Sequence, residues 1–316
     1  MKRKVSAVCM GTDLYLLFIM IMQIALVACF SFFLFLFPSL SFLTDFLDGA
    51  AGIVTVTAGT CLVFLFAEIM KNKGVLSFDE DGSVSLEAVF KKNRKMNLFS
   101  FAVLAALIFV MQFANSYVLG IIESVLNIVG LTAMNSPASN ADYSLSITLL
   151  LYAVLIGPAA EELIFRGFVL RGLRPCGRVF SVLISSVLFS LMHGDIQQIY
   201  FTFVVGIILG YTASEYSIWA SFLLHVFNNG FISMFMTYGL SGLPDFLYYL
   251  FTGMMLVACI AVLVIAVISG GVESAEEFFT RDKIEREAVM GLINPWFIVF
   301  VIFCAAETLF SLSPLS

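Results

Sequence analysis

Charge is what this sequence has least of. Asp, Glu, Lys and Arg make up 12% of its 316 residues, 61% are hydrophobic and the mean hydropathy is +1.03. Soluble domains carry charge at about a quarter of positions and apolar residues at about half, so a soluble globular fold is excluded. The chain reads as all-α, a polytopic helical membrane protein whose first partners are membrane lipids. Its acidic pI of about 4.9 argues against a nucleic-acid partner. Paired cysteines are also missing: Cys9, Cys29, Cys61, Cys176, Cys259 and Cys304 stand singly, without the spacing of a zinc site or a disulfide framework. Leu26-Val27-Ala28-Cys29, behind Lys2, Arg3 and Lys4, has the form of a lipoprotein cleavage box. The apolar stretch nevertheless continues as FSFFLFLF, too long for a signal core, and an uncleaved spanning helix is expected. There is no GxSxG and no Cys near either histidine, which removes serine and cysteine nucleophiles. No internal repeat or low-complexity tract is present.

At ~20 apolar residues per crossing, the sequence predicts spans near 14–37, 50–70, 98–122, 145–169, 179–194, 197–214, 217–238, 247–269 and 295–312. The fifth and sixth are short, and the last, with Glu307 inside it, could instead lie along the surface. Lys and Arg collect on the cytoplasmic side of short loops. With the N-terminus inside, all sixteen basic residues fall on that side: Lys2 to Lys4, six between Lys71 and Lys95, four between Arg166 and Arg178, and Arg281, Lys283 and Arg286. The outer loops near 38–49, 123–144, 195–196, 239–246 and 313–316 have none. Three segments follow: 1–140 with spans one to three, a core at 141–240, and 241–316 with the cytoplasmic loop 270–294. FDEDGS is a turn signal, and LEAVFKKNRK after it is a topogenic cluster or, alternatively, a short basic amphipathic helix on headgroups. Residues 270–294 predict a solvated helix with a modest apolar stripe, and 123–144 reads as a loop. The small size and short termini suggest a bacterial cell membrane.

Against this apolar background, GPAAEELIFR (Gly157 to Arg166) places two adjacent carboxylates and a guanidinium inside a spanning run. Each ionised group there costs on the order of 3 kcal/mol by insertion scales. Glu162 and Arg166 are four apart on one helix face, so a buried ion pair locking helices together is one reading. The only two histidines, His193 and His225, also lie in apolar segments downstream. At 1.5 Å per residue, Glu161 sits roughly 15 Å from the inner face, His193 about 20 Å, and His225 and Asn229 ~12 and ~18 Å, so the groups can converge. His225 and Asn229, four apart, share a helix face. Asn228 points elsewhere, toward an interhelical hydrogen bond. Phe189, four before His193, is expected to flank it. Gly157-Pro158 frees a backbone carbonyl and predicts a kink. A desolvated carboxylate is a better base near neutral pH. It can draw a proton from a trapped water that a histidine holds, while Asn and His donors stabilise a tetrahedral oxyanion at about 3 kcal/mol each. These parts describe hydrolysis of a peptide bond by activated water.

Glu161-Glu162-x-x-x-Arg166, Phe189-x-x-x-His193 and His225-x-x-x-Asn229 resemble the three motifs of the CAAX protease and bacteriocin-processing (CPBP, or Abi) family of intramembrane proteases, which includes CAAX prenyl protease 2. The resemblance covers roughly 145–237. It implies that Glu161 activates water with His193, that His225 and Asn229 form the oxyanion site, and that Glu162 and Arg166 support them. The substrate implied is a lipidated, membrane-anchored or hydrophobic peptide. The family is also described as metalloproteases, and Glu161, His193 and His225 would be the zinc set of that version. HExxH is absent and Asn is a poor zinc ligand, so a metal-free glutamate mechanism without cofactor is favoured here. Two other classes stay open: a non-proteolytic scaffold or regulator of the same fold, and a proton-coupled transporter, which would be expected to show repeated halves.

Overall fold

A computed structural model describes residues 1–78, 86–134, 146–240, 242–270, 273–281 and 284–315. Among them seven helices are long and apolar enough to cross a membrane. They are α1 (Lys2–Leu36), α2 (Thr44–Asn72, entered through the 3-10 turn Pro38–Leu43), α4 (Leu98–Ile128), α5 (Ile147–Cys176), α7 (Ile196–Glu215), α8 (Ile218–Val226, continued by the wider π turns of Phe227–Gly239) and α9 (Asp245–Ile268). The short α3 (Leu86–Phe90) precedes α4, and α10 (Glu273–Arg281) and α11 (Arg286–Gly291) follow α9. Two apolar helices are shorter, α6 (Arg178–Leu191) and α12 (Pro295–Phe310). At 1.5 Å per residue α6 is only ~21 Å long, against a hydrocarbon core of about 30 Å. The chain is an all-α polytopic membrane protein.

The nine predicted spans each meet a helix, but their edges move for identifiable reasons. Helix α1 starts at Lys2 instead of 14, because nothing between Lys2 and Leu36 breaks it; it stops ahead of Pro38, whose preceding residue Phe37 leaves helical geometry at φ −128° and ψ 69°. Its first half (Val5, Val8, Cys9 and Tyr15) is buried in protein, and the FSFFLFLF half is largely exposed. The helix passes unbroken through Cys29. Polar side chains set several starts: Asn97 accepts from Ser100 N at 2.7 Å, Ser217 from Ala220 N at 3.2 Å, and Asn294, just before Pro295, from Phe297 N at 3.1 Å.

Three loop expectations change. The segment 123–144 is not all loop: α4 continues to Ile128, and Leu131–Thr132 pairs antiparallel with Ser313–Pro314. The carboxylate of Glu123 closes that turn by accepting from Thr132 Oγ1 and, at 3.0 Å, from Ala133 N. LEAVFKKNRK is helical only over Leu86–Phe90, because the chain beyond is strapped to the α7–α8 turn: Asn93 N donates to Tyr216 O at 2.9 Å and Asn93 Nδ2 to Ser214 O at 2.7 Å. Residues 270–294 hold two short helices rather than one, and Phe278 of the first buries its ring edge-on to Tyr211 at 5.1 Å. The turn signal at 79–83, the stretch NSPASNADYS at 135–144, and Lys283 lie outside the described residues.

Helix α5 is the axis. Glu162, Ile164 through Leu170, and then Arg171 to Leu173 are all buried, with α1, α2, α3, α6, α7 and α8 packed around them. Helices α6 and α7 approach closely at Gly206, where an added Cβ would stand 3.1 Å from Ser186 Cα. Helix α12 packs on α1 and α6 with Phe300 and Cys304 buried, which makes it part of the bundle. A second apolar cluster joins α4 and α9 to α7 and α8.

Candidate active site

Helix α5 carries the two carboxylates on unusual backbone. Pro158 has no N–H to give, and Gly157 N donates to Tyr152 O, one residue further back than in an α-helix. Tyr152–Ile156 therefore forms a π turn, and Glu162–Leu170 forms a second. The predicted kink is taken up as this widening, and neighbouring side chains satisfy carbonyls of these turns. Asn229 Nδ2 donates to Ala153 O at 3.0 Å, and Ser185 Oγ to Phe165 O at 2.7 Å. Asn228 Nδ2 in turn donates to Asn229 Oδ1 at 2.9 Å, so this amide orients its neighbour instead of reaching another helix.

The two carboxylates differ sharply in surroundings. The Glu162 side chain is 2% exposed, and three polar groups crowd its oxygens. Arg166 Nη1 lies 3.1 Å from Oε1, His225 Nδ1 lies 2.9 Å from the same oxygen, and Ser221 Oγ donates to Oε2. Glu161 keeps 23% of its side chain exposed, and His225 Nε2 lies 3.5 Å from its Oε2. That distance exceeds a good hydrogen bond. His225 thus stands between the carboxylates, one ring nitrogen turned to each.

His193 lies just past the end of α6, in the turn to α7, rather than inside a span ending at 194. Gly194 makes that turn possible at φ +59°. The His193 Nδ1 atom is 2.8 Å from Phe189 O. A carbonyl oxygen only accepts, so Nδ1 carries a proton in this contact and Nε2 is the ring nitrogen left for another partner. Phe189, 1% exposed, links the groups: its ring centroid lies 5.0 Å from that of His193, 5.8 Å from that of His225 and 4.4 Å from the Arg166 guanidinium carbon. Arg166 is itself buried, and Nη2 reaches Gly206 O at 3.4 Å.

Glu161, Glu162, Arg166, Phe189, His193 and His225 are therefore brought together, with Asn229 facing the same helix through Ala153. Sequence reasoning missed Ser221 and the clamp made by Asn228. Ser221 had a signal, since it lies four residues before His225 and so on the same face of α8. Among the described residues no three His, Cys, Asp or Glu side chains form a group able to hold a metal ion. Both nitrogens of His225 are directed at carboxylates, Nδ1 at Glu162 and Nε2 at Glu161.

The segment that holds all of these groups also matches a known family. Residues 143–231 match the family model described as type II CAAX prenyl endopeptidase, Rce1-like. This shows over those residues, under a third of the chain, the resemblance to CAAX proteases visible in the three motifs, and it supports an intramembrane endopeptidase of the CAAX type. No curated protein and no solved structure matches the chain.

Proposed function

We propose that the chain is an intramembrane endopeptidase that hydrolyses a peptide bond in a membrane-associated, lipidated or hydrophobic peptide, using water activated by Glu161. The observation that carries this reading is the asymmetry of the carboxylate pair. Glu162 spends its acceptor capacity on Arg166, His225 and Ser221, while Glu161 keeps oxygen free and partly exposed. A carboxylate of the second kind can take a proton; one of the first kind positions its neighbours.

In this account water donates one proton to Glu161 as its oxygen attacks the scissile carbonyl, and His193, with Nε2 as acceptor, holds that water in line. His225 donates its Nδ1 proton to Glu162, so Nε2 becomes a donor to the oxyanion only in the imidazolium form. Asn229 spends one amide proton on Ala153 O and keeps the second for the oxyanion. Collapse of the tetrahedral intermediate breaks the C–N bond, and the proton held by Glu161 passes to the leaving amine. The reading includes no metal. A scaffold of the same fold would have no use for a free Glu161 beside a saturated Glu162. The orientation with Lys2 to Lys4 inside, and a bacterial membrane, belong to the same proposal. The purified chain with a fluorogenic apolar or prenylated peptide tests it: cleavage is expected, and none by Glu161→Gln. Equal cleavage by that variant would transfer the role elsewhere.

A further inference from the structure

Away from these residues, α1, α2 and α12 enclose a cavity of about 390 Å³, within the range of small-ligand pockets. Its walls are apolar, Phe66, Trp296, Phe300 and Phe303 among them, with one ionisable exception, Asp13. Both carboxylate oxygens of Asp13 are shielded and have no hydrogen-bond partner among the described residues, and no described cation pairs with them. Among the lining residues Leu17, Trp296 and Val299 are 50%, 40% and 53% exposed, so the cavity opens sideways between apolar helices, toward lipid. None of the proposed catalytic groups lines it.

An unpaired carboxylate in such surroundings is costly. A ligand that combines a cationic hydrogen-bond donor with an apolar body relieves that cost and fills the space, and the open side admits it from the bilayer. We propose that this cavity is a binding site for a membrane-borne amphiphile with a primary ammonium head, the head paired with Asp13 and the chain laid along Phe66, Phe300 and Phe303. A neutral or anionic amphiphile of the same length satisfies the walls but not Asp13.

The chain has two tryptophans, and Trp296 lines the cavity. In a Trp219→Phe background it is the sole reporter. Titration of the full chain in nonionic detergent with dodecylamine is expected to change Trp296 emission saturably, with dodecanol and dodecanoate at least about tenfold weaker. Asp13→Asn should remove that preference for the amine. Val299→Phe, which narrows the mouth without touching the carboxylate, should weaken amine binding independently. An equal response to dodecanol, an unaltered amine preference in Asp13→Asn, or no saturable response would overturn the proposal. The first would mark the cavity as an ordinary acyl-chain crevice over a protonated Asp13.

Discussion

Glu161 and Glu162 are neighbours in sequence and opposites in environment, and substitutions should separate them. Glu161→Gln is expected to lower kcat/KM by about a thousandfold or more while the melting temperature stays put. Glu162→Gln strands Arg166 and His225 in apolar surroundings and should cost on the order of 3–5 kcal/mol of stability, read by thermal or denaturant unfolding. Replacing Glu162 and Arg166 together by Met should recover part of that loss and still leave no activity, because His225 loses its anchor. Ser221→Ala removes one donor to a carboxylate that keeps two others, so roughly 1–2 kcal/mol is expected with most activity retained. The Glu162–Arg166 pair was legible in the sequence, since a spacing of four fixes it locally. The tie from His225 to Glu162 was not: it spans 63 residues and exists only once α5 and α8 pack.

At the scale of elements, spans were readable because length and hydropathy decide them; the backbone inside the spans was not. Nothing in GPAAEELIFR distinguishes a proline kink from two π turns. The outcome depends on Asn229 and Ser185, on other helices, accepting the task of satisfying Ala153 and Phe165 carbonyls. Pro158→Ala restores an N–H that competes for Ala153 O. It should therefore release Asn229 and cut turnover more than it lowers stability, a combination that activity and unfolding measured on one preparation would show. Gly206→Leu forces α7 off Ser186 and should destabilise the α6–α7 pair by several kcal/mol, since backbone cannot yield as a flexible side chain does. Helix edges depart from the hydrophobic windows where the helix outruns them, as at Lys2 and Ile128, and where tertiary straps stop a helix, as at Phe90.

For the whole molecule, the account is a membrane bundle wound on α5, whose matched core carries the chemistry while α1, α2 and α12 enclose a separate chamber. In the proposed orientation residues 71–78, 91–95, 171–178 and 286 share one face. Single cysteines introduced at exposed positions there, Lys73, Lys92, Arg178 and Arg286, in a cysteine-free background should all react with an impermeant maleimide from the same side, and cysteines at the exposed Ser39 and Phe42 from the other. The most direct test of the central claim is peptide cleavage by the purified chain, measured in a metal chelator for the native protein and for Glu161→Gln. The account predicts cleavage that the chelator leaves unchanged and that the substitution abolishes. Cleavage lost with chelator and restored by zinc, or retained in Glu161→Gln, would contradict it.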